Sequence, residues 1–224
     1  MYVPKAFQEN RTDVLHAAMR EIGAAAIVGH NVDGLVATHA PIELASEPEP
    51  LGTIRIHFAR ANPHARAIKD GQQLLLIFQG QQSYITPSWY PSKQLTGKVV
   101  PTWNYVAVHV YGTATVFDDA AKLQTHLAAL TDRFESGYDL PWKIDDAPQE
   151  FIEGMCRAII GFEIAINRIE GKWKVSQNKS SDDRIGVING LRTQGANIGQ
   201  AMADLVEAAH NERTDPRRLP EAES

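Results

Sequence analysis

The segment "NYVAVHVYGTATVF", residues 104–117, limits the fold more than any other stretch. Tyr105, Ala107, His109 and Tyr111 alternate with Val106, Val108 and Val110. A period of two sorts side chains onto two faces only when the backbone is extended. "TIRIHFA" repeats the pattern, with Ile54, Ile56 and Phe58 on one side and Thr53, Arg55, His57 and Ala59 on the other. "QQLLLIFQ" reads as a buried strand. "AAAIVG" and "GLVATHAPIEL" read as two strands joined through "HNVDG", with Asp33-Gly34 as the turn signal. "GFEIAINRIEGKWKVSQN" reads as a strand, a turn at Glu170-Gly171 and a second, cation-rich strand carrying Arg168, Lys172, Lys174 and Lys179 around Trp173.

Helical periods separate these strands. Asn10 is placed to cap a helix with Val14, Leu15, Ala18, Met19 and Ile22 on one stripe, stopped by Gly23. "SEPEPLG" reads as an exposed loop. Asp118 opens a helix striped by Leu123, Leu127, Leu130 and Phe134, and Pro148 opens a shorter one with Phe151, Ile152, Met155 and Ile159. Two more helices, "DDRIGVINGLRT" and "ANIGQAMADLVEAAHNE", join near Gly195 and precede a polar tail. About seven strands with hairpin signals and no repeating βαβ unit indicate an α+β protein built on an antiparallel barrel or sheet, not a doubly wound fold.

With 224 residues, 43% of them hydrophobic, the chain is long enough to bury a substantial core. Its single cysteine, Cys156, excludes an internal disulfide framework and falls on a helical pattern as packing. No apolar run approaches a membrane span, and "MYVPKAFQEN" has no signal-peptide core, so the expected location is cytoplasmic. A formal net charge of −5 argues against a general coat of positive charge for nucleic acid. The last helix contains no Lys or Arg up to its acidic end, unlike a recognition helix, which leaves the basic 168–184 stretch as the better DNA candidate.

The stretch 78–112 holds Tyr84, Trp89, Tyr90, Trp103, Tyr105 and Tyr111, and is expected to form one long loop between strand-like runs. Rings interspersed with Ser88, Lys93, Thr102 and Asn104 suit a flat, anionic heteroaromatic ligand, and suit a subunit interface equally well. After the strand "TIRIHFA", Asn62 as N-cap and Pro63 at the first helical position open a helix with unpaired amides. Arg60, His64 and Arg66 add charge there, which makes a phosphate seat the functional expectation and an ordinary capped helix the plain one. His39, His57 and His109 could converge inside a barrel, but no short spacing supports metal ligation, and no metal ligand is assigned. No Gly-rich dinucleotide or P-loop fingerprint, nucleophile elbow or HExxH helix occurs, and no carboxylate pair is spaced for acid–base work.

Taken together, "MYVPKAF", "VATHAP", "IHFARANPH", "SYITPSWYPSK", "GKVVPTWNYVAVHVYG", "IIGFEIAINRIEGKWKVSQN" and "DDRIGVINGL" resemble the PaiB-type FMN-binding negative transcriptional regulators over nearly the whole chain. The resemblance implies an FMN-binding split barrel, similar to pyridoxamine-phosphate-oxidase-like flavoproteins, with peripheral helices. It would span residues 1–178, with a C-terminal helical extension and tail at 179–224. It also implies a homodimer with FMN at the subunit interface. Carried over by motif, Arg60, Asn62 and His64 hold the phosphate end, while Gln79, Ser88, Trp89 and Lys93 line the ring or ribityl chain. Trp103, Asn104 and Tyr105, with Lys174, Ser176 and Gln177, complete the pocket. Gln81 and Gln82 stand where a Pro-containing turn is expected, and "HAP" replaces a Leu-containing version. The expected function is regulatory rather than that of a dedicated enzyme. A flavin-dependent oxidoreductase acting on a small molecule is the first alternative, and a haem-binding split barrel the second.

Overall fold

Alternation builds the sheet that the sequence pattern predicts. The computed structural model of the chain describes residues 1–47, 51–194 and 197–214. Part of the expected Pro/Glu-rich loop at 48–50, the helix junction at Gly195 and the polar tail lie outside the described residues. The strands are β1 (Gln8–Glu9), β2 (Ala24–Asn31), β3 (Gly34–Pro41), β4 (Glu43–Ala45), β5 (Thr53–Ala59), β6 (Gln73–Ile85), β7 (Thr102–Phe117) and β8 (Ile159–Lys174). The helices are α1 (Thr12–Ile22), α2 (Pro63–Ala67), α3 (Ser92–Thr96), α4 (Ala120–Glu135), α5 (Gln149–Arg157), α6 (Ser181–Thr193) and α7 (Asn197–Thr214). The strand order is β3-β2-β6-β7-β8-β5-β4, with β1 also paired to β8. The β2–β3, β2–β6, β4–β5, β5–β8 and β1–β8 pairs are antiparallel. This is an α+β fold with an antiparallel split barrel and peripheral helices.

The chain divides into two compact units, each discontinuous in sequence. Unit 1 comprises Met1–Glu9, Gln79–Ala107 and Gly171–Ser224; unit 2 comprises Asn10–Phe78 and Val108–Glu170. In unit 2 the strands curl until β3 comes against β5. Ile54, Ile56 and Phe58 of β5 point into the core with Ile27, Leu76, Phe78, Val108, Val110, Phe162 and Ile164. Each buried aliphatic or aromatic side chain of this kind contributes about 1.5–3 kcal/mol from removal of apolar surface from water. Under α4 and α5 lies a separate cluster of Phe117, Leu123, Ile152 and Cys156. Unit 1 has its own core, in which Ile85, Tyr90, Val106 and Val175 pack with Val187, Ile188 and Leu191 of α6 and Met202, Ala203 and Val206 of α7.

Three local expectations change. The turn at Glu170-Gly171 is absent: β8 is one continuous strand, because β1 pairs Glu9 with Gly171 and Gln8 with Lys172 and holds that stretch extended. The aromatic stretch is mostly strand, with Tyr84 on β6 and Trp103, Tyr105 and Tyr111 on β7, so only Trp89 and Tyr90 lie in the connection. Helix starts shift by one residue: Arg11 rather than Asn10 precedes α1, and Asp119 rather than Asp118 caps α4, accepting from Lys122 N at 2.8 Å.

Candidate functional site

In unit 2, β5 delivers the chain directly into the "RANPHAR" turn. Asn62 caps α2 as its sequence predicts, its Oδ1 accepting from His64 N at 2.9 Å. Its Nδ2 donates to Thr38 Oγ1 at 3.1 Å, and the same hydroxyl lies 3.0 Å from His64 Nδ1. Thr38 therefore ties β3 to the turn. His64 is buried, and burial pushes its pKa below the usual histidine value, which keeps the ring neutral. Its Nε2 is buried and has no hydrogen-bond partner among the described residues. A buried polar atom left unpaired is costly, so this nitrogen is suited to a ligand oxygen or a water. Arg60 turns elsewhere: Nε donates to Arg157 O at 3.0 Å and Nη2 approaches Asp118 at 3.5 Å. Arg66 Nε donates to Arg60 O at 3.2 Å.

Unit 1 gathers most of the remaining expected residues. Asn104 and Ser176 are both buried and bonded to each other, with Asn104 Nδ2 donating to Ser176 Oγ at 3.0 Å. Ser176 adopts a left-handed backbone at φ 67°, a conformation that costs a non-glycine residue about 1–3 kcal/mol and tends to mark functional turns. Gln177 locks the same turn: its Oε1 accepts from Val175 N at 2.8 Å and its Nε2 donates to Trp173 O at 2.6 Å. Lys174 donates to Thr102 Oγ1 and to Trp103 O. Burial, then the charges of Lys172 and Lys179, push the Lys174 ammonium below the usual lysine pKa. Lys172 lies 5.2 Å from the Tyr105 ring centre, and Lys179 lies 4.7 Å from that of Tyr90. The Trp103 ring stands edge-on to Tyr84 at 6.2 Å, and both are about half exposed. A flat anionic ligand needs this chemistry: exposed ring faces, cations with neutral partners and a rigid polar turn.

Other expected residues are placed differently. Lys93 donates to Ser88 at 3.4 Å, and both are exposed, as is Gln79 on β6. Trp89 packs on α6, its ring lying where a side chain on Gly190 would stand. Arg60, Asn62 and His64 belong to unit 2, whereas the other ten expected residues belong to unit 1. His39 is exposed on β3, and His57 pairs with His126 rather than with His109, 3.0 Å separating the two rings' nitrogens. Among the described residues no group of three or more His, Cys, Asp or Glu side chains is arranged to hold a metal ion.

Sequence reasoning missed Thr38 and Asp183. Thr38 stands inside the quoted motif "VATHAP", beside the more conspicuous His39. Asp183, in the first turn of α6, accepts from Ser92 N at 3.1 Å and from Ser92 Oγ at 2.8 Å, fixing α3. The acidic pair after Ser180 signals a helix start but not this distant partner.

Comparison with known proteins bears on both units. The family profile described as "Putative FMN-binding domain" matches residues 1–168. An uncharacterized protein of Emericella nidulans is 35% identical over 181 residues, covering 69% of this chain and 72% of the relative. The protease synthase and sporulation protein PAI 2 of Bacillus subtilis is 30% identical over 207 residues, covering 92% of this chain and 97% of the relative. Among solved structures, an FAD and heme binding protein from Mycobacterium smegmatis superposes with a TM-score of 0.55 at 18% identity, covering 75% of this chain and 73% of that one. A conserved hypothetical protein from Mycobacterium tuberculosis gives 0.54 at 11% identity, covering 80% of this chain and 94% of that one. At such identities the two structures attest the split-barrel fold alone. FMN is the cofactor that the profile match supports. Taken unit by unit, the unpaired His64 Nε2 of unit 2 is a group that a ligand oxygen can meet, and the Lys174 ammonium of unit 1 is a cation of the kind an anionic ligand needs. The chain belongs to the PaiB-type family of FMN-binding domains.

Proposed function

We propose that this chain is a flavin-holding negative regulator of transcription that works as a cytoplasmic homodimer with the flavin at the subunit interface. The observation that carries this reading is the likeness to the Bacillus subtilis sporulation protein along 92% of the chain. Arg60, Asn62 and His64 are the proposed phosphate end. Trp103 and Tyr105 offer ring contacts, and Lys174 sets a cation beside them, held by Thr102 and the Trp103 carbonyl. Asn104, Ser176 and Gln177 keep the turn rigid, and Gln79, Ser88, Trp89 and Lys93 complete the proposed lining. Bound FMN would supply one- and two-electron redox chemistry that the side chains themselves lack.

Titration of the purified protein with FMN, followed by flavin fluorescence, tests the site. Saturable binding by the wild type that weakens in Trp103→Ala supports it; no binding by the wild type overturns it. The regulatory part is tested by band shift across a salt series. Binding that has no sequence preference and vanishes at modest salt would sink it.

A small-molecule oxidoreductase is the second reading. It is favoured by the engagement of Lys172 and Lys174, the cations expected to meet DNA, with Tyr2, Tyr105, Thr102 and Trp103. Consumption of NAD(P)H in the presence of FMN distinguishes it.

A further inference from the structure

Apart from the residues expected to hold flavin, unit 2 contains a chain of titratable groups in direct contact. His57 of β5 and His126 of α4 meet through Nδ1 and Nε2 at 3.0 Å, with ring centres 5.2 Å apart and planes at 73°. The other nitrogen of His126, Nδ1, lies 2.7 Å from Glu43 Oε2 on β4. Arg55 of β5 donates from Nη1 to Glu43 at 2.8 Å and from Nε to Glu163 of β8 at 2.7 Å. Lys122 of α4 donates to Glu163 Oε2 at 2.6 Å. The β7 side contributes the Phe117 ring, edge-on to His126. On the α1 side, Arg20 donates to Leu44 O at 3.4 Å, and Arg133 of α4 donates to Ile42 O at 2.9 Å, bracketing Glu43 on the backbone. The charged groups facing the imidazole pair are therefore Glu43, Arg55, Lys122 and Glu163, with Arg20 and Arg133 behind β4.

Hydrogen accounting fixes what the pair can hold. Burial opposes ionisation of Glu43, but the bonds from His126 and Arg55 outweigh it and keep the carboxyl below its usual range. Glu43 is therefore an acceptor, and His126 Nδ1 carries its hydrogen. The gap between the two imidazoles then has room for one hydrogen, donated by whichever nitrogen bears it. A second proton would set two N–H groups head to head beside a fully buried ring, where repulsion is poorly screened. Burial, with the His126 charge beside it, pushes His57 down to about 4, in keeping with that geometry.

We propose that the Glu43–His126–His57 chain is a proton-operated latch, which clasps α4 to the β4–β5 edge near neutral pH and releases it on acidification. What the latch covers is the apolar cluster of Phe117, Leu123, Ile152 and Cys156. Release uncovers that cluster while the rest of the sheet stays paired. No cofactor takes part, so the latch stands or falls independently of flavin binding.

Cys156 is 3% exposed and is the chain's single cysteine, so it reports opening. The full chain is treated with 4,4′-dithiodipyridine from about pH 7 to about pH 4.5, and each rate is divided by that of free cysteine at the same pH. Hydrogen exchange is measured in parallel. The wild type is expected to gain about tenfold or more in normalised rate, the effect of one displaced pKa unit, together with loss of protection in α4. His57→Phe keeps a flat ring without a proton site, and its rate is expected to stay level. A level wild type, an equal rise in His57→Phe, or protection lost equally in α4 and the sheet strands would each overturn the latch. Should His57→Phe fail to fold, His57→Gln serves as the non-titrating variant with the same outcomes.

Discussion

The Trp89 ring occupies the space that a side chain on Gly190 would need: a Cβ there would stand 2.3 Å from Trp89 Cδ2. Gly186, one turn earlier on α6, would meet the Trp89 carbonyl oxygen at 2.0 Å. The two glycines make a shallow seat into which the connection between β6 and β7 settles. Gly190→Ala is expected to displace Trp89 and destabilise unit 1 by about 1–3 kcal/mol, the usual penalty of overpacking. Denaturant unfolding followed by tryptophan fluorescence measures it.

Asn104 and Ser176 satisfy one another in a buried place, and Ser176 does so in a left-handed conformation. Asn104→Ala leaves the Ser176 hydroxyl without its partner and is expected to cost about 1–3 kcal/mol of stability. FMN affinity should fall further than the loss of stability explains, because the turn bearing Lys174 loses its anchor. Titration under conditions where the variant remains fully folded separates the two effects.

Asp183 makes the acid limit of unit 1 predictable. Burial alone would raise its pKa, but hydrogen bonds from Ser92 N, Ser92 Oγ and Ser180 prevail and hold it below the ordinary aspartate value of 3.8. A depressed carboxyl stabilises the native state fully above its unfolded pKa and loses that contribution as pH falls through the folded one. The wild type should therefore lose stability below about pH 4, and Asp183→Asn should be less stable at neutral pH but lose less on acidification. Thermal unfolding across pH 2–7 provides the comparison.

His64 Nε2 lies 2.7 Å from where a Cβ on Gly29 would be. Gly29→Ala is expected to push the ring from Thr38 and free the Asn62 cap, at a cost of about 1–3 kcal/mol. Histidine NMR resonances of His64 should shift, whereas those of His57 and His126 should not.

What could be read from the sequence was local. The alternation in β5 and β7 and the Asn62-Pro63 helix start depend on neighbouring residues, and they appear in the structure at the expected positions. What escaped depends on distant partners. Gly171 looks like a turn until Glu9 pairs with it. His57 and His126 are 69 positions apart, and Ser92 and Asp183 are 91, so no spacing rule links either pair. Trp89 was legible as an aromatic in a functional stretch, but its seat on α6 needs two glycines far along the chain. In contrast, Asn104 meets Ser176 and Lys174 meets the Trp103 carbonyl because β7 and β8 are neighbours in the sheet and the residues sit near adjoining strand ends.

The pairing of β1 with the far end of β8 also sets a timetable. Gln8 is made long before its partner Lys172, which emerges only after the other strands of the sheet. Until then the first strand has no ladder to join, and closing so long a loop is slow and entropically costly. Pairing of β1 thus waits until β8 is complete, whereas the β2–β3 hairpin can form as soon as its own residues appear.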